Sequence, residues 1–81
     1  LITHSPPYKI LDRTDEDKRV GSRTLAITVG DINPRLHVFG HIHEAYGELE
    51  YKDKFITTRF INCSHVNQRY MPVNKPIRIE L

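Results

Sequence analysis

The pattern of apolar and polar positions divides the chain into short elements. Residues 1–3, Leu-Ile-Thr, are an apolar or β-branched run of strand type. His4-Ser5-Pro6-Pro7 stops it, because proline has no backbone donor with which to continue a central strand. Residues 8–21 are polar and carry the charge cluster DRTDEDKR, which reads as a solvated, mobile loop, with a loop covering a site as the alternative. From Ser22, a plausible N-cap, Leu25, Val29 and Ile32 recur at i, i+4 and i+7 with Ala26 beside them. That spacing predicts a helix with one apolar face, weakened by Gly30 and ended by Asn33-Pro34. Residues 36–40, LHVFG, read as a short buried strand. Residues 46–51 and 55–63 read as strands around a charged turn at 52–54, and 73–76 as a further turn. Residues 77–81, IRIEL, alternate as a half-exposed final strand would.

Strand, loop, helix and strand in that order make a βαβ unit, followed by antiparallel strands, so the fold class is α/β. The two strands of such a unit are parallel and the crossover right-handed. His4 then lies just past the carboxyl end of the first strand, and Gly40, His41 and His43 at the carboxyl end of the second. Ligands of open α/β sheets bind at that edge. Neighbouring strands lie about 4.8 Å apart, so side chains at the two ends can converge on one ion although far apart in sequence.

Composition narrows the classes. With 81 residues the chain has room for one small domain. Its formal charge of +2 is spread along the sequence, so no basic stripe marks a nucleic-acid partner. Cys63 is the only cysteine, which excludes an internal disulfide framework and favours a reducing, cytoplasmic compartment. No apolar run approaches the ~20 residues of a membrane span, and no signal peptide is evident. Leu1 stands where an initiator methionine is usual, so the chain reads as cut from something longer.

The candidate chemistry is imidazole chemistry. An H-x-H pair in extended backbone projects both rings to one side, and neutral imidazole binds first-row cations well. Gly40 lets the backbone turn or approach a neighbour closely. His4, His41 and His43 are the candidate metal ligands, for one shared ion or for two. His37, inside a strand, reads as structural and His65 as a surface residue. Glu44 is either a partner orienting a ligand or a solvent-exposed carboxylate. Lys9 and Arg13 read as surface charge, and Tyr46 as packing. Gly30-Asp31, inside the predicted helix, reads as structural. No nucleophile elbow surrounds Ser5, which argues against a serine hydrolase.

THSPP followed by a helix and by PRLHVFGHIHEAYG resembles the calcineurin-like metallophosphoesterase superfamily, in particular its metallophosphoesterase-domain-containing branch, related to class III cyclic-nucleotide phosphodiesterases. The tail INCSHVNQRYMPVNKPIRIEL resembles that branch too, so the likeness runs over nearly the whole chain. It implies a four-layer α/β sandwich with two divalent ions (manganese, iron or zinc) at the carboxyl ends of the strands, residues 1–81 being a C-terminal portion without its N-terminal half. By the same resemblance His4 and His41 match ligands of the second metal and His43 a ligand of the first, while Asn62 and His65 at most wall the pocket. The implied activity is hydrolysis of phosphate esters, a cyclic nucleotide among the candidate substrates, by a water made acidic on the metals. D-x-H, G-D-x-x-D/H and G-N-H motifs, which intact members bring from their first half, are absent here. The bridging carboxylate and the catalytic groups would therefore come from a missing N-terminal half or from a second chain, and the 81 residues alone would be inactive. Two alternatives stay open: a non-catalytic scaffold or binding module, and a mononuclear three-histidine site closed by water.

Overall fold

The computed structural model describes residues 1–52, 57–67 and 69–80. They form one helix, α1 (Arg23–Ile32), and three strands, β1 (Leu36–Phe39), β2 (Gly47–Lys52) and β3 (Thr57–Asn62), in the sheet order β1-β3-β2. β1 pairs parallel with β3, Leu36 against Arg59 and Phe39 against Asn62; β2 pairs antiparallel with β3, Gly47 against Asn62. The sheet is mixed and the class α/β, as the order of apolar segments predicts.

Residues 1–3 run parallel along the other side of β1. Val38 donates its N–H to Leu1 O at 2.9 Å and accepts at 3.0 Å from Thr3 N, around an isolated parallel bridge between Ile2 and Val38. The expected neighbour relation of the first and second apolar runs is therefore present.

α1 begins where the N-cap preference places it. Ser22 is extended (φ −77°, ψ 121°), and its hydroxyl accepts from Leu25 N at 3.0 Å, satisfying one of the donors that a helix leaves free in its first turn. Asn33 closes the helix in the left-handed conformation, its N–H on Val29 O at 2.8 Å, and Pro34 prevents continuation. The buried face is narrower than the spacing predicts. Val29 is buried against Phe39 and Phe60, with Leu25, Ile10 and Leu11 packed around them, but Ile32 is 58% exposed. Ile32 falls at the last position of the helix.

The polar stretch 8–21 is exposed over most of its length, as a solvated loop would be, but it is anchored at one buried residue. Asp12 is fully buried: its Oδ2 accepts from Lys9 N (3.0 Å) and Gly21 N (2.8 Å), and its Oδ1 from Arg19 Nη1 (3.0 Å). One carboxylate thus gathers both ends of the segment, and charge-assisted bonds to it are stronger than neutral ones. A Cβ on Gly21 would stand 2.4 Å from Pro7 O, so only glycine fits where the segment closes back on the prolines.

Two further expectations change. Residues 77–80 are not a strand, and Leu81 lies outside the described residues. Ile77 and Ile79 are half-buried and Arg78 and Glu80 exposed, so the alternation marks a face; it supplies no pairing partner for a ladder. Of the strand expected over 55–63, Thr57–Asn62 is present and 55–56 lie outside the described residues, as do 53–54 of the turn before it.

His37 is structural, as its position inside a strand predicts. It is fully buried, edge-on to Phe39 and Phe60, with ring centroids 5.0 and 5.7 Å away. Thr3 Oγ1 donates its one proton to Ser5 O (2.8 Å), so at 2.9 Å from His37 Nε2 it accepts. Nε2 therefore carries the imidazole proton. Nδ1 is the lone-pair nitrogen, buried with no partner among the described residues. Burial is the main cause that lowers the His37 pKa, from 6.5 to about 4.

Three stability measurements follow from these contacts. Ser22→Ala should cost about 1 kcal/mol in chemical denaturation by removing the cap. Gly30→Ala should add about 0.5–1 kcal/mol, because a helical Cβ there meets nothing within 4 Å. For His37 the unfolded state takes up a proton near pH 6.5 and the folded state only near pH 4. Stability should therefore fall as pH drops through that window, by roughly 3 kcal/mol in all, and level off below it. The slope between pH 7 and 5 should flatten in His37→Gln; an unchanged slope would show that His37 does not set it.

Candidate metal centre

The parallel pairing of residues 1–3 with β1 puts His4 beside the end of β1. The backbone continues the register there, Gly40 N donating to His4 O at 3.0 Å. Both side chains that leave this edge are exposed imidazoles. His4 Nε2 and His41 Nδ1 stand 3.1 Å apart, with ring centroids 4.7 Å apart and planes tilted by 46°. One nitrogen of the pair donates and the other accepts, so two imidazoles separated by 37 positions in sequence meet at this edge.

The H-x-H segment reaches this arrangement by a route other than extended backbone. β1 ends at Phe39, and His41 is left-handed (φ 67°). Ile42 N donates to Gly40 O at 2.8 Å, a three-residue turn around His41, and His43 opens a single 3-10 turn, His43–Ala45. The positive φ sits on His41 and not on Gly40, whose added Cβ would meet only Ser64 Oγ at 3.5 Å. Period-two alternation does not survive such a turn, so His41 and His43 do not project side by side.

His43 is half-buried and held by the tail. Its Nδ1 lies 3.1 Å from Asn67 O, and its ring stands edge-on to Tyr70 at 5.4 Å. A carbonyl only accepts, so Nδ1 carries the proton and Nε2 keeps the lone pair. A backbone carbonyl on one nitrogen is the usual way of presenting the other to a metal. Among the described residues, no group of three or more His, Cys, Asp or Glu side chains stands close enough to hold one ion. The structure thus brings His4 and His41 together and leaves His43 apart from them.

Two bonds of about 2.0–2.1 Å to imidazole nitrogens, at angles between right and tetrahedral, span about 2.9–3.4 Å between the nitrogens. The observed 3.1 Å fits two positions of a first-row cation. The proton now between the rings would have to move to an outer nitrogen, a change of tautomer and not of net charge.

The neighbouring candidates do other things. Glu44 Oε2 accepts from Asp15 N at 3.3 Å and so ties the polar segment to the 3-10 turn. Tyr46 Oη donates to Lys75 O at 2.6 Å, pinning the tail. Arg13 pairs with Asp17 at 3.1 Å on the surface, and Lys9 Nζ lies 5.7 Å from the Tyr8 ring centre. His65 Nδ1 donates to Asn74 O at 3.2 Å, and Asn74 Nδ2 to Ser64 O at 2.8 Å. Sequence reasoning missed the parts of the tail that hold His43. Asn67 acts through its main-chain carbonyl, which leaves no side-chain signal, and Tyr70 has none of the spacing that marks a site.

No protein-family model matches the chain. Curated proteins do. The chain is 47% identical over 83 residues to metallophosphoesterase domain-containing protein 1 of Homo sapiens, covering all of this chain and 24% of that protein; the Mus musculus protein of the same name matches equally. A UPF0046 protein of Caenorhabditis elegans is 42% identical over 77 residues, 95% of this chain and 25% of its own length. The chain spans about a quarter of the length of these relatives. THSPP and GHIH lie at the edge where two imidazoles meet, and similarity over its whole length relates the chain to metallophosphoesterase domain-containing proteins.

Proposed function

We propose that the protein containing this chain hydrolyses phosphate esters with bound divalent ions, His4 and His41 being ligands of one ion and His43 a ligand of a second. The 3.1 Å convergence of His4 Nε2 and His41 Nδ1 at the carboxyl ends of two parallel neighbours carries this reading. The proton on His43 Nδ1 supports its part, since it leaves Nε2 with the lone pair that a metal ligand needs. When bound, such ions stabilise charge on phosphoryl oxygens and lower the pKa of water. The contribution of this chain is binding and orientation: Thr3, Gly40 and Asn67 fix the strands and rings from which the imidazoles project.

On this reading residues 1–81 form a C-terminal portion of a four-layer α/β sandwich, and the remaining ligands, a bridging carboxylate among them, come from outside the chain. Phosphodiesters, cyclic nucleotides included, are the first substrates to test. A second reading, a non-catalytic segment, applies to these residues taken alone: among the described residues no carboxylate joins the histidine pair.

The test uses the full-length protein with manganese and a panel of phosphodiesters and phosphomonoesters. Replacing a group that merely orients a ligand costs about 10–100-fold, so His4→Ala and His41→Ala should each cost at least that in kcat/KM and lower the bound metal per chain. Full activity and full metal content in both variants would refute the ligand assignment. A wild-type protein that binds manganese and turns over none of the panel would favour the non-catalytic reading.

A further inference from the structure

Asn62, the last residue of β3, is fully buried, and every hydrogen-bonding group of its side chain is used. Its Nδ2 donates to Ile42 O at 2.9 Å and to Leu11 O at 3.2 Å. Its Oδ1 accepts from Ser64 N at 3.1 Å and from Ser64 Oγ at 2.7 Å. The amide orientation follows from chemistry: two main-chain carbonyls only accept, and Ser64 N only donates.

Ile42 is the residue between His41 and His43. Its carbonyl already accepts from Ala45 N at 3.1 Å, closing the 3-10 turn, and Asn62 supplies a second donor. The turn that carries the two imidazoles has left the β-ladder, so the sheet itself does not hold it. From β3 the Asn62 amide reaches it, braced by Ser64, beside the contacts that Glu44 and His43 make with Asp15 and Asn67. The same amide grips Leu11, next to the buried Asp12 that gathers residues 9–21. A single side chain therefore ties the end of the sheet, the histidine turn and the polar segment together.

We infer that Asn62 is the positioning residue of the metal centre: its amide, braced by Ser64, fixes the His41–Ile42–His43 turn so that His41 Nδ1 meets His4 Nε2. Asn62 does not touch a metal; it acts through the turn. This inference rests on the metal-ligand reading above.

The test measures manganese affinity and thermal midpoint together in the full-length protein. Asn62→Asp keeps size and shape but sets a carboxylate oxygen against the carbonyls of Ile42 and Leu11. It should raise the manganese dissociation constant by about 10–100-fold, the range for residues that orient ligands. Val29→Ala, a core cavity under a helix side chain that makes no hydrogen bond to the turn, should lower the midpoint at least as far and leave the constant within about 2-fold of wild type. Wild-type affinity in Asn62→Asp would overturn the inference, as would an equal loss of affinity in Val29→Ala, which would reduce Asn62 to general stability. If Asn62→Asp does not fold, Ser64→Ala decides. It deletes only the 2.7 Å brace, and it should raise the constant by about 3–10-fold, the worth of one hydrogen bond, against no change if the inference is wrong. His41→Ala separates the two levels. Weak binding in His41→Ala with wild-type binding in the Asn62 and Ser64 variants refutes only the positioning role. Wild-type binding in His41→Ala refutes the metal reading and this inference with it.

Discussion

The parallel contact between residues 1–4 and β1 is the constraint on which the candidate centre depends. Three backbone hydrogen bonds, Val38 N to Leu1 O, Thr3 N to Val38 O and Gly40 N to His4 O, set its register. Because side chains alternate along a strand, sliding this register by one residue would turn His4 to the opposite face and part it from His41. The hydrogen bond between half-buried Thr3 and fully buried His37 reinforces the register from the side-chain level. Fold and chemistry are thus joined at one strand edge.

The centre is built from unlike supports. His4 is placed by a strand, His41 by a tight left-handed turn, and His43 by a carbonyl of the tail. Glu44 and Asn62 join that turn to the polar segment, and Tyr46 pins the tail at Lys75. Such polar joints tie the segments around the small core of Val29, Phe39 and Phe60 to one another. Buried Asp12 and Asn62 are acceptable in it because each is fully bonded.

What could be read in the sequence was what local rules govern. Ser22 and Asn33 mark the ends of α1 because capping is a property of a few neighbouring residues. The convergence of His4 on His41 followed from the order of apolar runs and from the handedness of strand connections, which need no long-range detail. The missed features depend on partners distant in sequence. Asp12 sits among exposed charges and differs from them only in finding Gly21 and Arg19. The tail alternates like a strand but has no ladder to join. His41 and His43 look like a pair in the sequence, and the left-handed turn at His41 separates them in space. Kinship with metallophosphoesterase proteins agrees with the GHIH and THSPP motifs, and the quarter of their length that is covered limits what this chain alone supplies.

The most direct test of the centre is anomalous diffraction at the manganese edge from crystals of the manganese-loaded full-length protein. An anomalous peak bonded to both His4 Nε2 and His41 Nδ1 is the expected result. Manganese bound elsewhere, with the two rings still hydrogen-bonded to each other, would contradict the assignment of this strand edge as a metal site.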